Sequence, residues 1–201
     1  MQIIQITDLD KKRIRIRLED GYVFALYKGE WRQYHLQEGE ELLEEQLEEI
    51  RKEILIKRAR KRVMHLLERM DRTESQLRTK LKQGYYPEDV MEDAIGYVKG
   101  YHYLDDLRYA RNYARCHKDR KSQRMLKAEL LAKGISKEQV AQALEEECSG
   151  ENEQEQILKW VQKKNYSSQT ADLKTKQRMY QFLMRKGFCP NDILHVLDYL
   201  T

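Results

Sequence analysis

The sequence has little proline and no long apolar run. Two prolines in 201 residues, with 40% hydrophobic and 36% charged residues, indicate a folded, helix-rich protein whose charges cover exposed helical faces. No apolar stretch approaches the roughly 18 residues that span a bilayer. The N-terminus, MQIIQITDLDKKR, lacks the basic-then-apolar order of a secretion signal. We therefore expect no membrane association and a cytoplasmic location.

Cysteine is scarce, and catalytic motifs are missing. Cys116, Cys148 and Cys189 lie far apart, which predicts reduced thiols rather than a disulfide framework or a zinc site. The chain contains no phosphate-binding loop, dinucleotide fingerprint or HExxH motif, and its five histidines are scattered without ligand spacing. The sequence therefore predicts no enzyme, no catalytic residue, no bound metal and no cofactor.

The first 37 residues have the pattern of a small antiparallel sheet. Residues 13–18, RIRIRL, alternate strictly, as a half-buried strand does, and Asp20-Gly21 predicts a two-residue hairpin turn. The expected strands are residues 3–6, 13–18, 22–27 and 31–36. Because so small a sheet is not stable alone, we expect it to pack on a helix.

From residue 38 onward the apolar spacing is helical, and a unit of about 50 residues occurs three times. Gly84, Gly134 and Gly187 each follow a helix with an apolar last turn, and apolar residues recur six and ten positions later. We therefore predict a mostly α fold, an elongated, curved array of three tandem three-helix repeats, with a small N-terminal antiparallel β-sheet. The expected regions are 1–37 for the sheet, 38–103 for repeat 1 with a leading helix over about 40–70, 104–150 for repeat 2 and 151–201 for repeat 3.

Local signals place several helix ends. Residues 73–76, TESQ, and 136–139, SKEQ, have the spacing of a capping box. Pro87 is expected at the first position of a helix. Residues 168–186 are expected to form the middle helix of repeat 3.

Basic residues are the main functional signal. Residues 105–137 hold ten Lys/Arg and four Asp/Glu, residues 138–155 hold seven glutamates and no base, and residues 156–187 hold eight Lys/Arg and one aspartate. Such segregation favours binding of a polyanion or an acidic protein, although ordinary solvated helical faces give the same pattern. The contact candidates are Arg108, Arg111, Arg115, Lys118, Arg120, Lys121, Arg124, Lys127 and Lys133, with Lys174, Lys176, Arg178 and residues 57–62 as alternative surfaces.

Asp105 and Asp106 precede the first helix of repeat 2. We predict that they cap its exposed N–H groups, which favour negative charge. As metal ligands, two adjacent carboxylates without further acids nearby would bind weakly.

Four segments resemble the RecX family of bacterial regulators of the RecA recombinase. Residues 100–113, GYHYLDDLRYARNY, are similar to the family's G-[YF]-[LI]-[DN]-D motif and the [RFY]-A segment after it. Residues 124–135, RMLKAELLAKGI, and 67–77, LERMDRTESQL, resemble its second and first repeat motifs. Residues 37–42, QEGEEL, resemble the N-terminal region of longer members.

The resemblance implies tandem three-helix repeats and a regulator without catalytic residues. Members of the family bind RecA–single-stranded DNA filaments along their helical groove. They limit filament growth, ATP hydrolysis, strand exchange and the co-protease activity that triggers the SOS response. We therefore expect a monomeric regulator of DNA repair and recombination, whose partners are the RecA filament and single-stranded DNA. The alternative is a stand-alone DNA-binding helical module that acts without RecA and prefers particular duplex sequences.

Overall fold

The computed structural model describes residues 1–150, 152–167 and 171–199, and the chain divides into two compact units, Met1–Asp105 and Asp106–Thr201. The strands are β1 (Ile3–Asp8), β2 (Arg13–Leu18) and β3 (Val23–Tyr27). The helices are α1 (Lys28–Gln33), α2 (Glu44–Glu49), a π-helical segment (Ile50–Ile56), α3 (Lys57–Arg69), α4 (Glu74–Lys82), α5 (Glu88–Gly100), α6 (Asp106–His117), α7 (Gln123–Ala132), α8 (Lys137–Cys148), α9 (Glu153–Lys163), α10 (Leu173–Arg185) and α11 (Pro190–Tyr199). The mostly α class is confirmed, with a small antiparallel sheet followed by three successive three-helix repeats, α3–α5, α6–α8 and α9–α11.

The sheet has the order β1-β2-β3, and both strand pairs are antiparallel. Ile14, Ile16 and Leu18 of β2 are buried, as its alternating pattern predicts. The two-residue hairpin turn is wrong, because the Leu18 N–H donates to the Tyr22 carbonyl at 2.9 Å and leaves three residues in the loop. Gly21, with φ of +85°, occupies the left-handed position that ends a three-residue hairpin loop.

The strand expected at residues 31–36 is wrong, because residues 28–33 form α1. The Glu30 carboxylate accepts the Tyr27 N–H at 2.8 Å, which satisfies a backbone donor at the start of the helix. The indole N–H of Trp31 donates to the Leu36 carbonyl at 2.6 Å and fixes the chain after the helix. Local hydrogen bonds therefore favour a helical turn where the sequence pattern indicated a strand.

The sheet packs on repeat 1, as expected. Ile16, Phe24 and Leu26 share one continuous core with Leu55 and Val63 of the long helix. Burial of the sheet's apolar face on a helix supplies the stability that a lone hairpin lacks.

The long helix starts at Glu44, later than predicted, because the preceding residues follow the edge of β1. The Ile3 N–H donates to the Glu40 carbonyl at 2.9 Å, and the Gly39 N–H donates to the Ile3 carbonyl at 2.8 Å. These bonds occupy backbone groups that a helix would otherwise use. They also cover an exposed sheet edge, which limits pairing with other chains.

The π-helical segment explains the spacing of apolar residues along this helix. Ile50 and Leu55 are both buried although they lie five positions apart. A regular α-helix would turn these two side chains to different faces, whereas the wider π turn brings both to the core. From Leu55 onward the usual spacing resumes at Ala59 and Val63.

The turns of repeat 1 follow the predicted signals with one correction. Thr73 and Gln76 form the expected reciprocal capping box, with both hydrogen bonds at 3.3 Å. Gly84 follows α4, as predicted, and the next residue, Tyr85, adopts the left-handed conformation with φ of +57°. Pro87 caps α5 instead of occupying its first position, because its ψ of 158° is extended.

Repeats 2 and 3 have separate apolar cores. The Ser136 hydroxyl accepts the Gln139 N–H at 3.2 Å and caps α8, which is one half of the predicted capping box. The middle helix of repeat 3 begins at Leu173, later than the predicted residue 168, because the Asp172 carboxylate caps it by accepting the Thr175 N–H at 2.9 Å. Residue 168 itself lies outside the described part of the chain.

Repeats 2 and 3 meet where α10 ends against the start of α7. The Ser122 N–H donates to the Lys186 carbonyl at 3.0 Å. Gly187 has φ of +89°, and a Cβ atom placed there would lie 2.5 Å from the Met125 Cβ and 2.6 Å from the Ser122 Oγ. Glycine is therefore required at this position both by backbone conformation and by space.

We expect Gly187→Ala to destabilise the protein more than Gly150→Ala. Both glycines have left-handed φ, which costs other residues about 1–2 kcal/mol, but no atom lies within 4 Å of a Cβ built at Gly150. Overpacking against Met125 should add about 1–3 kcal/mol to the Gly187→Ala effect. Urea unfolding of the two variants measures the difference, and equal losses would contradict the close repeat contact.

Candidate interaction surface

Helix α6 carries the predicted row of basic residues, and small side chains hold it against α8. Ala110 and Ala114 are completely buried and share a core with Val140, Ala143 and Leu144 of α8. Alanine allows the two helices to approach closely, so longer side chains flanking this contact can reach from one helix to the other.

The acidic pair lies at the start of this helix. Asp105 is exposed and precedes α6, while Asp106 is its first residue and is half-buried. Negative charge at this end is favourable because the first N–H groups of a helix carry partial positive charge. The capping role remains a prediction.

Two arginines of the predicted row pair with glutamates of α8. Arg111 donates through Nη2 to Glu146 Oε1 at 2.9 Å. Arg115 binds Glu147 with two hydrogen bonds, from Nε at 2.9 Å and from Nη2 at 2.6 Å. The hydrogen bonds from Arg111 and Arg115 lower the pKa values of Glu146 and Glu147 respectively. These side chains therefore connect two helices of one repeat.

The charge segregation seen along the sequence is thus partly removed in three dimensions. Lys118 also turns towards the acidic segment, donating from Nζ to the Glu147 carbonyl oxygen at 2.9 Å. The glutamates after residue 138 neutralise part of the base-rich segment before them. The net charge of a sequence segment consequently overstates the positive potential of the folded surface.

Lys121 and Lys133 approach a row of stacked rings. Tyr109 stacks on Tyr113 with 6.2 Å between ring centroids, and Tyr113 stacks on His117 at 4.2 Å. The Lys133 Nζ lies 5.1 Å from the centroid of the Tyr113 ring, and Lys121 lies 5.6 Å from it. Cation–π attraction holds both ammonium groups close to the protein.

Glu129 joins this row through strong hydrogen bonds. Its two carboxylate oxygens accept Lys121 Nζ at 2.7 Å each, and one accepts the Tyr113 hydroxyl at 2.7 Å. Partial burial alone would raise the pKa of Glu129, but the hydrogen bonds from Lys121 and Tyr113 outweigh it and lower that pKa. Lys121 is therefore engaged within its own repeat.

The remaining candidates point towards solvent. Arg108, Arg120, Arg124 and Lys127 are exposed. Arg120, Arg124 and Lys127 make no ion pair with any residue in the ranges 1–150, 152–167 and 171–199. The fold thus separates residues that connect helices from Arg120, Arg124 and Lys127, which are available to a partner.

A second basic surface lies in the first unit, in a groove of about 790 Å³ beside α3. It includes Lys61 and Arg62 from the alternative surface at residues 57–62. It also includes Arg13 from β2 and Lys80 from α4, which sequence reasoning did not connect with α3. Only the packing of the sheet on repeat 1 brings these segments together.

Among the described residues, no group of three or more His, Cys, Asp or Glu side chains is placed to hold a metal ion. No helix among the same residues is long and apolar enough to cross a membrane.

Comparison with known families matches all three repeats in order. The model described as "RecX, first three-helix domain" matches residues 59–97, "RecX, second three-helix domain" matches residues 105–144, and "RecX, third three-helix domain" matches residues 151–197. The fold therefore defines a protein of tandem three-helix domains.

Whole-chain relatives identify the family. "Regulatory protein RecX" of Bacillus velezensis is 30% identical over 188 residues, covering 92% of this chain and 70% of the relative. The protein of the same name from Clostridium botulinum (strain Eklund 17B / Type B) is 29% identical, covering 92% and 88%. The chain belongs to the RecX family, and this membership supports a regulatory role. A solved structure, "Crystal structure of regulatory protein RecX", is 26% identical with a TM-score of 0.60 and covers 98% of each chain.

We expect Glu129→Gln to lower the free energy of unfolding by about 1 kcal/mol at pH 7, because the charge-assisted bonds to Lys121 weaken. The folded-state pKa of Glu129 is lowered, so its contribution is present above the unfolded-state pKa and is lost as the pH falls through the folded-state value. The difference between variant and wild type should therefore disappear in acid.

Urea unfolding from pH 7 downward measures this difference. Glu145→Gln, an exposed change on α8, is the matched control and should have little effect at any pH. A difference for Glu129→Gln that persisted in strong acid would show that the ionised carboxylate is not its cause.

Proposed function

We propose that the protein binds RecA–single-stranded DNA filaments and mainly inhibits their recombinase, ATPase and co-protease activities. In this way it would regulate DNA repair, recombination and the SOS response. The observation that carries the proposal is the ordered match of all three repeats to the three RecX domains. We further propose that it acts in the cytoplasm as a monomer and performs no catalysis of its own.

Exposed basic residues in the second repeat support this function. Arg120, Arg124 and Lys127 can approach phosphates or the acidic surface of a protein without first breaking an ion pair within the described residues. A protein with several repeats can also touch more than one protomer of a filament, so that weak individual contacts add up to useful affinity.

The ion pairs of α6 make Arg111 and Arg115 unsuitable positions for testing the proposed interface. Reversing Arg111 and Arg115 to glutamate would place carboxylates against Glu146 and Glu147 and destabilise the α6–α8 contact. Weaker binding by that variant would therefore have two explanations. Arg124 and Lys127 are better targets because they face solvent.

Adding the protein to RecA on single-stranded DNA should reduce ATP turnover. Arg124→Glu/Lys127→Glu should weaken inhibition by roughly tenfold or more, since each lost close charge contact is worth on the order of 1 kcal/mol. The measurement is the protein concentration that halves ATP hydrolysis, with circular dichroism to verify helicity.

Lys137→Glu provides a control, because it reverses an exposed charge at the start of α8, outside the proposed contact set. Unchanged ATP turnover at stoichiometric wild-type protein would refute the proposed function. Equal inhibition by wild type and the Arg124/Lys127 variant would move the interface away from α7.

The second candidate is a DNA-binding module that acts without RecA. Its support is the same exposed basic set, since phosphates and acidic proteins attract the same side chains. Sequence-preferring binding to duplex DNA, with no effect on RecA, would favour this alternative.

A further inference from the structure

We propose that the groove beside α3 binds the phosphate backbone of a single nucleic-acid strand. The groove lies within the first unit, between the Arg13 and Tyr27 end of the sheet, the exposed side of α3 and the end of α4. Its lining contains five Lys/Arg side chains and one carboxylate, that of Glu68. A concave surface with this excess of positive charge attracts polyanions more strongly than a flat one.

The basic residues that line the groove are of two kinds: some pair with carboxylates of the same unit, and others form no ion pair within the described residues. Arg58 binds both carboxylate oxygens of Glu30 at 2.5 Å and also donates to the Ala25 carbonyl at 3.2 Å. Arg13 donates to the Asp10 carboxylate at 2.8 Å. These two arginines hold the sheet and its loops in place, and they contribute little net charge.

Lys61 and Arg62 supply the excess charge. Both are exposed, and within the described residues neither forms an ion pair. This contrasts with Arg60, their neighbour on α3, which binds Asp93 of α5 through two hydrogen bonds at 2.6 and 2.9 Å. Asp93 therefore neutralises Arg60 on the α5 side of α3. Lys61 and Arg62, by contrast, keep their charge beside the groove, where, among the described residues, Glu68 is the one lining carboxylate.

Lys80 provides a cation on the other side of the groove. It lies on α4 and is half-buried, with its Nζ donating to the Gln83 amide oxygen at 3.2 Å. A neutral amide does not cancel the ammonium charge. Cations on two helices that face a common groove can contact successive phosphates of one strand.

Two tyrosines line the groove, and Tyr27 offers the more accessible ring for a base to stack on. Tyr27 is 43% exposed, and the Arg58 guanidinium lies over one face of its ring, 4.7 Å from the centroid. Tyr86, in the turn before α5, packs partly against the apolar core of the first unit. Gly84 makes room for Tyr86, because a Cβ at position 84 would lie 2.8 Å from the Tyr86 Cε2. Aromatic rings beside a basic groove are the usual means of holding single strands without sequence preference.

In this proposal the N-terminal sheet helps to form the strand-binding groove. Arg13 and Tyr27 are cross-strand partners in β2 and β3, so one end of the sheet forms a wall of the groove. The proposed site does not require RecA. Its test therefore uses DNA alone and can fail while regulation of RecA stands.

The test is fluorescence anisotropy of a labelled oligothymidylate with the full-length protein over a range of salt concentrations. Each phosphate contact with a single strand contributes about 0.7 to the slope of log affinity against log salt. Lys61→Gln/Arg62→Gln should therefore reduce the slope by about 1.4, and Lys80→Gln should reduce it by about a further 0.7. Lys52→Gln/Lys99→Gln removes the same charge from ion-paired, exposed positions of the same unit outside the groove and should leave the slope unchanged.

Three results would overturn the proposal. The first is an equal slope for wild type and the Lys61/Arg62 variant, or equal reductions by that variant and the control. The second is displacement of the strand by inorganic phosphate at the same phosphate concentration, which would indicate a simple anion site. The third is weaker RecA inhibition by the Lys61/Arg62 variant with unchanged DNA affinity, which would assign the groove to an acidic protein surface.

Discussion

Each three-helix repeat depends on the packing of its first helix against its third. In repeat 2, this contact is made by alanines of α6 that are completely buried against α8. In repeat 1, Ala59 and Val63 of α3 occupy the same place, sharing a core with Ala94 and Val98 of α5. Small residues bring the helix axes close, and the middle helix then closes the remaining side of each core.

Arginine–carboxylate pairs border this packing in the first two repeats. Arg60 of α3 binds Asp93 of α5, and Arg111 of α6 binds Glu146 of α8. The two arginines lie 51 residues apart, next to Ala59 and Ala110, so they hold equivalent positions in the repeat. A basic residue in such a position stabilises the packing of two helices. Basic residues that lack such an ion pair within the described part of the chain, on α7 and on the outer side of α3, are the ones that can bind a partner.

Much of the architecture follows from local patterns in the sequence. The alternation of β2, the capping box at Thr73 and the glycines that end α7 and α10 each act over a few residues, so the sequence alone reveals them. The errors have local causes too. The composition of residues 31–36 predicts a strand, whereas hydrogen bonds from Tyr27 and Trp31 favour a helical turn. The π-helical segment brings Ile50 and Leu55 to the same buried face although they lie five positions apart, a spacing that fits neither a regular α-helix nor a strand.

The candidate surfaces depended more heavily on tertiary structure. The repeat, the buried stripes and the abundance of basic residues can be recognised without the fold, because they are properties of periodicity and composition. Only the folded chain decided which cations remain available, since Glu147 reaches Arg115 from 32 positions away and Asp93 reaches Arg60 from 33. The groove beside α3 arises in the same way. Its walls come from strands and helices that are distant in sequence, and their shared charge exists only once the sheet has packed on repeat 1.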